Sequence, residues 1–301
     1  MKKIFCLYVC LNFSTLYCYA STSSDEKQFP NPGQIYLPGK DTGFAQYAAK
    51  SLRGTKKIVL TFDDGPDLVT TPLLLNILKL HKVTATFFVL TEKINDQTYP
   101  IIKRMISEGH NVASHHHDHV SNDSKPEAVF RAGLVQSIST TARILEFENS
   151  SAREIYYRFP YGAYGSKTRN YHHLNVMKSV SNDLFGENCI NFAFWDIDTV
   201  DWLPEMSPQD IKANVLANIF GGTGFDFKRN SNGSYSKVKK VINKPLGGGV
   251  VLMHDVHKRT VDSIDLLLNE LKQRQVEIVS LQSVDEYSYN GLECRLISPN
   301  P

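Results

Sequence analysis

The sequence predicts an α/β fold, a (β/α) barrel-like architecture of the distorted or incomplete TIM type. Three observations predict it. From Lys57 onward, short apolar runs of strand type alternate with amphipathic helical stretches, a pattern that builds a parallel sheet with helices outside it. The chain has 301 residues with 42% hydrophobic content, enough for one large domain with a full core. Polar clusters fall repeatedly at the C-terminal ends of predicted strands, the rim on which parallel barrels carry their active sites. An open doubly wound sheet is the competing architecture. No G-x-G-x-x-G follows any strand, which counts against its dinucleotide-binding version.

The chain opens with Met1-Lys2-Lys3, a mostly apolar run and Cys18-Tyr19-Ala20 before Ser21. This is a basic n-region, an apolar h-region and a small-x-small cleavage site. Residues 1–20 therefore read as a secretory signal, cut after Ala20, and the protein as exported: periplasmic, cell-surface or secreted. An uncleaved anchor and lipidation at Cys18 are the competing readings, and Tyr17 is bulky for the second. No later stretch is long and apolar enough to span a bilayer, so no stable membrane span is expected once the signal is removed. Lys2 and Lys3 account for the excess of 33 basic over 31 acidic residues, and nothing marks a nucleic-acid surface. Of the five cysteines, only Cys189 and Cys294 lie outside the leader. They form a disulfide or stand as two buried thiols. Oligomeric state is not legible.

Residues 21–52, with Pro30, Pro32, Gly33 and Pro38, read as an extended lead-in. Residues 53–290 read as the folded domain and 291–301 as a tail. Lys57–Asp63 is an apolar strand stopped by Gly65-Pro66. Thr70–His81 is a helix with Leu73, Leu74, Ile77 and Leu78 on its inner face, Pro72 being tolerated in the first turn. Residues 85–90 form a strand, 98–108 a helix closed by Gly109, and 110–114 a short strand. A long helix over 126–147 precedes a strand at 155–159. A helix over 166–179 and an aromatic strand at 191–197 follow. Pro208–Phe220 is a helix, Gly249–His254 an apolar strand, 260–272 a helix and 276–280 the last strand. Residues 221–249, rich in Gly, Ser, Asn and Lys, read as a solvated loop. As a helix-to-strand connection, that loop belongs on the face opposite the catalytic rim.

Two carboxylates, Asp63 and Asp64, stand at the end of the first strand. Anions this close repel unless a cation or a proton sits between them, which predicts a metal site or a base with a perturbed pKa. Five of the ten histidines lie between His110 and His119. His115 and His119 have the i, i+4 spacing that puts both imidazoles on one side of a helical turn, a metal-ligand spacing. With one of the aspartates they supply two nitrogens and an oxygen, leaving a position open as catalytic zinc sites do. His116 and His117 are further possible ligands. Asp255 and Gly247-Gly248-Gly249, near His254, point to another active strand end.

These residues resemble the NodB-type polysaccharide deacetylases, carbohydrate esterase family 4. The motifs occur in family order. They are Thr61-Phe62-Asp63-Asp64-Gly65-Pro66, His115-His116-His117-Asp118-His119, Arg158-Phe159-Pro160-Tyr161, Asp198-Thr199-Val200-Asp201-Trp202 and Leu252-Met253-His254. The departures are His116, where the family carries Ser or Thr, and Val120, where Pro or Ser is common. The resemblance implies the barrel-like fold of the NodB domain and hydrolysis of N-acetyl groups on a polysaccharide. It implies Asp64, His115 and His119 as ligands of Zn²⁺, or of Co²⁺, Ni²⁺ or Mn²⁺, and Asp63 as general base. His254 would be general acid, Arg158 the holder of Asp63, and Asp201 the partner of His254. Tyr161 would offer its backbone N–H to the oxyanion, while Trp202 and Leu252 would line the substrate pocket. The same machinery on an ester, or a glycan-binding relative without catalysis, are the alternative functions.

Overall fold

The computed structural model describes residues 48–123, 125–148, 150, 154–165, 172–186, 189–287 and 294–297; the predicted leader at 1–20 and the predicted lead-in up to 47 lie outside them. Along the chain run β1 (Lys57–Asp63), α1 (Thr70–His81), β2 (Thr86–Val89), α2 (Tyr99–Ser107), β3 (Asn111–Ser114), α3 (Glu127–Phe147), β4 (Ile155–Tyr157) and α4 (His172–Phe185). Then come β5 (Ile190–Phe192), β6 (Ile197–Asp198), α5 (Pro208–Phe220), β7 (Gly222–Arg229), β8 (Tyr235–Ile242), β9 (Gly249–His254), α6 (Lys258–Gln273) and β10 (Glu277–Ile278). Eight strands form one sheet in the order β5-β4-β3-β2-β1-β9-β6, with β10 beside β1. Every pairing in it is parallel. The sheet curls into a half-barrel with helices outside it, an incomplete (β/α) barrel.

One stretch of chain links the two ends of the strand order. The Ala193 N–H donates to the Tyr157 carbonyl at 3.0 Å, and three residues later the Asp196 N–H donates to the Val250 carbonyl at 2.9 Å. The chain thus leaves β4 and joins β9 within residues 190–198. The single strand predicted at 191–197 is two short strands for this reason: it changes partners midway. The helix predicted at 166–179 starts at His172 among the described residues, and its predicted first part, 166–171, lies outside them.

The inner stripe of α1 also differs from expectation. Thr71, Leu74, Leu75 and Leu78 are buried, whereas Leu73 is 41% exposed. Thr71 sets this phase. Its hydroxyl meets the buried Asp255 carboxylate at 2.5 Å, and positions three, four and seven residues further on then face inward. Gly247, Gly248 and Gly249 do not mark the active strand end. They lead into β9, Gly249 being its first residue, at the end opposite His254, and a Cβ on Gly248 would clash with the Leu52 carbonyl oxygen. Close backbone packing is what they serve. Ala49 and Leu52 are buried in the core there.

Residues 221–249 are not a solvated loop. β7 and β8 pair antiparallel from Gly222↔Ile242 to Arg229↔Tyr235. The ribbon starts beside the C-terminus of α5 and runs back along that helix. The Phe225 N–H donates to Asn214 Oδ1 at 2.5 Å, and Lys237 Nζ reaches Asp210 Oδ2, in the first turn of α5, at 2.8 Å. Eight strand residues span roughly 26 Å, whereas the thirteen-residue α5 spans about 20 Å. The hairpin therefore returns to the rim from which the sequence reading excluded it. Cys189 and Cys294 form a disulfide that ties residues 294–297 to the start of β5.

Candidate active site

The parallel register sets the C-terminal strand ends side by side. Asp63 on β1 pairs with His254 on β9, Leu252 on β9 with Asp198 on β6, and Ser114 on β3 with Tyr157 on β4. Side chains alternate along a strand, so Asp63 and Asp64 would normally face opposite ways. Asp64 breaks the alternation with a left-handed φ of 76°. Lys93 Nζ holds the turn by donating to the Asp64 carbonyl at 2.8 Å. The second motif bends in the same manner: His115 continues the ladder through its N–H to the Val89 carbonyl, and His116 turns with a φ of 74°.

Arg158 is fully buried beside Asp63. Its Nη1 donates to Asp63 Oδ1 at 2.7 Å and to Thr61 Oγ1 at 2.8 Å. Its Nε and Nη2 donate to the carbonyls of Ala193 and Phe194 at 2.8 and 3.0 Å. The Phe88 ring lies 4.0 Å from the guanidinium carbon. Asp63 is thereby fixed as an acceptor on one oxygen, while its Oδ2 lies 3.7 Å from His115 Nε2.

Asp64, His115 and His119 form a separate cluster whose ligand atoms all lie within 4.8 Å of one another. Asp64 Oδ1 is 3.4 Å from His115 Nε2 and 3.3 Å from His119 Nε2. That oxygen is buried and has no hydrogen bond. His115 Nδ1 lies 2.8 Å from the Arg158 carbonyl, which can only accept, so Nδ1 carries the proton and Nε2 presents its lone pair to the cluster. Two imidazole nitrogens and a carboxylate oxygen converge stably only around positive charge, a proton or a metal cation. Burial opposes ionisation of Asp64, but His115, and after it His254 and His119, outweigh burial and hold its carboxyl well below the usual range. Burial pulls the His119 pKa down, which favours the neutral form that a metal ligand requires. The residues fit a divalent cation.

Across the rim, His254 Nδ1 lies 2.7 Å from Asp201 Oδ1. Asp201 is fully buried, and its Oδ2 accepts the His254 N–H and the Thr260 hydroxyl. Asp198 makes no such contact with His254; its Oδ1 accepts the Val200 N–H at 2.7 Å, and burial pushes its pKa up to about 6. Tyr161 has a φ of 57° and an exposed ring that lies 4.4 Å from His119. Trp202 follows Asp201 directly, and Leu252 is buried beneath the rim.

His116 and His117 stand outside the cluster. His116 is buried, stacks on Phe130 at 5.5 Å and lies 3.2 Å from the Tyr157 hydroxyl. His117 meets Thr91 instead. Sequence reasoning missed Thr61, Lys93, Thr260 and Arg259, whose guanidinium donates to the carbonyls of Asp201 and Trp202. Thr61 opens the first motif but has no role assigned there, and the other three belong to no motif. Asp255 was legible through its neighbour His254, but its partner Thr71 was not.

The model of the polysaccharide deacetylase family matches residues 50–179. A chitooligosaccharide deacetylase of Rhizobium leguminosarum bv. phaseoli is 30% identical over 204 residues, covering 67% of this chain and 69% of that protein. The chain belongs to the polysaccharide deacetylase family. Another member of the family, the peptidoglycan-N-acetylglucosamine deacetylase PgdA of Listeria monocytogenes, is 32% identical over 231 residues. That alignment covers 76% of this chain and 39% of PgdA, so the chain spans about two-fifths of that relative's length. Among solved structures, a peptidoglycan N-acetylglucosamine deacetylase of the family is 27% identical, with a TM-score of 0.54 and coverage of 80% of this chain and 91% of that one. Among the described residues of this deacetylase-family chain, no helix is long and apolar enough to cross a membrane.

Proposed function

We propose that this protein is an exported, metal-dependent hydrolase that removes N-acetyl groups from N-acetylhexosamine residues of a cell-wall or surface polysaccharide. One observation carries the reading. A carboxylate clamped by a buried arginine and an imidazole clamped by a buried carboxylate flank a three-ligand cluster on one rim. The names of the relatives, peptidoglycan and chitooligosaccharide deacetylases, supply the substrate class.

Asp64, His115 and His119 would hold Zn²⁺, with Co²⁺, Ni²⁺ or Mn²⁺ as alternatives. When bound, the cation supplies Lewis acidity, polarising a carbonyl and acidifying water toward a pKa of about 7. Asp63, held by Arg158 on one oxygen, takes the proton of the attacking water. The water oxygen adds to the acetamide carbonyl carbon. The Tyr161 backbone N–H would donate to the oxyanion, and the residue sits in a left-handed turn with a φ of 57°. His254 gives its Nε2 proton to the departing nitrogen as the carbon–nitrogen bond breaks, so that acetate and a free amine leave. Asp201 keeps the imidazole charged and oriented for that step. Trp202 and Leu252 wall the pocket for the sugar and the acetyl methyl group.

The test is acetate release from N-acetylglucosamine oligomers and peptidoglycan after chelation, with and without added Zn²⁺, beside Asp63→Asn. Release restored by metal and lost in the variant is expected. Silence on amides with release from acetylated xylan would move the assignment to an O-acetyl esterase. Silence on all of them in metal-loaded protein would overturn it.

A further inference from the structure

The β7–β8 hairpin turns one face toward the rim. Directly paired residues of an antiparallel ribbon share a face, so Phe225, Phe227 and Arg229 lie with Lys239, Lys237 and Tyr235. At the α5 end this face is structural. Phe225 packs on the cluster of Val200, Leu203, Met206 and Ile211. Lys237 is tied down by the Glu205 carbonyl and Asp210. On the ribbon's other face, a Cβ on Gly224 would stand 2.8 Å from Asn214 Oδ1, so the glycine lets that face lie against α5.

At the rim end the same face is aromatic and open. Trp202, Phe227 and Tyr235 meet edge to face, with centroids 4.9, 5.5 and 5.5 Å apart. Phe227 is still 39% exposed and Tyr235 41%. Phe225, against the α5 cluster, is partly buried, whereas these two rings lie more open to solvent. The cluster is also registered to the reacting groups. Trp202 follows Asp201, whose carboxylate holds His254, and Arg259 pins the carbonyls of both residues at 2.5 and 3.0 Å.

We infer that Phe227 and Tyr235 extend the Trp202 wall into a platform for a second N-acetylhexosamine residue of the glycan, next along the chain from the one deacetylated. The inference rests on the proposed polysaccharide substrate. A pyranose presents apolar C–H faces, which aromatic rings cover, and an equatorial rim of hydroxyls, which stay in water. A polymer seated at the catalytic rim must continue past it, and this open aromatic surface adjoins that rim.

The experiment measures calorimetric affinity of the chain, in the Asp63→Asn background that prevents turnover, for the hexamer and the dimer of N-acetylglucosamine. Phe227→Ala/Tyr235→Ala should weaken hexamer binding about tenfold, the loss of roughly one stacking contact, and bring it close to dimer binding. Phe227→Tyr should restore the preference for length. Unfolding midpoints show whether the double variant keeps its fold, and Phe227→Trp probes the same surface without truncation by tightening the hexamer. Unchanged hexamer affinity in the folded variants overturns the platform. So does a dimeric wild-type chain that the double variant converts to monomers with hexamer affinity intact. The two readings fail differently. A wild-type chain that binds the hexamer through these rings but releases no acetate keeps the platform and loses the catalytic assignment. Acetate release with no length-dependent binding does the reverse.

Discussion

Asp201 grips His254 at two points: Oδ1 lies 2.7 Å from the imidazole Nδ1, and Oδ2 accepts the backbone N–H of the same residue at 2.7 Å. Burial opposes the charge on His254, but Asp201 outweighs it and pushes the pKa up to about 10. A free imidazole titrates near 6.5, so a raised value keeps His254 protonated through neutral pH, as the proposed acid must be. Activity that needs this proton is present below the pKa and lost as pH rises through it. A cation held at Asp64 would repel the imidazolium and bring that limb below 10. In Asp201→Asn the limb should fall toward about 6.5, with kcat/KM at neutral pH down by about 10²-fold or more. The pH profile of kcat/KM checks this. A basic limb unmoved by the substitution would assign it to another group.

Arg158 and Asp63 form a buried pair in which the arginine also closes three other hydrogen bonds. Removing one member of such a pair leaves a buried charge uncompensated, at a cost of about 3–5 kcal/mol. Arg158→Met should lose stability on that scale in urea unfolding. Arg158→Lys should recover only part of it, because an ammonium lacks the planar fork that spans a carboxylate and two carbonyls. In the double variant Asp63→Asn/Arg158→Met the loss should be smaller than the sum of the single losses. Additive losses would mean that the pair is not coupled.

Much of this site was legible because its side chains come from strand ends. A short apolar run followed by polar residues reports both the strand and its active end, and Asp63, Asp64, His115, Arg158, Asp201 and His254 all follow such runs. The supporting partners were hidden for a converse reason. Thr71, Thr260 and Arg259 sit in the first turns of helices, where the sequence shows only helical periodicity and the contact is made across the fold. The hairpin was misread because its largely exposed strands, one of them Lys-rich, bury one face partially, so their alternation is weak. The break at 193–196 was invisible because an aromatic run reads alike whether it keeps one partner strand or changes to another.

A metal held by the three-ligand cluster would couple its binding to stability. A cation that binds the folded state alone stabilises it by about 2.7 kcal/mol at a hundredfold excess over Kd. Chelated protein should gain thermal stability on addition of Zn²⁺, and His119→Ala should lose most of that gain. The gain should also shrink as pH falls through the histidine range, since a protonated imidazole offers no lone pair. A melting temperature that responds to Zn²⁺ equally in His119→Ala would place the metal elsewhere.

His116 and Gly133 form a further coupled pair. His116 is buried between Phe130 and Tyr157, and a Cβ on Gly133 of α3 would stand 2.4 Å from its Nε2. The absent side chain at 133 is therefore what admits an imidazole where the family pattern has a hydroxyl. In a helix interior, Gly→Ala normally stabilises by about 1 kcal/mol. Here Gly133→Ala should destabilise by about 1–3 kcal/mol, the cost of overpacking a rigid ring. In the His116→Ser background the ring is gone, and the same substitution should return toward the ordinary stabilising sign. Urea unfolding of the four proteins gives the coupling directly. A change of sign between backgrounds identifies Gly133 as the accommodation for His116, and equal effects in both would leave the glycine without that role.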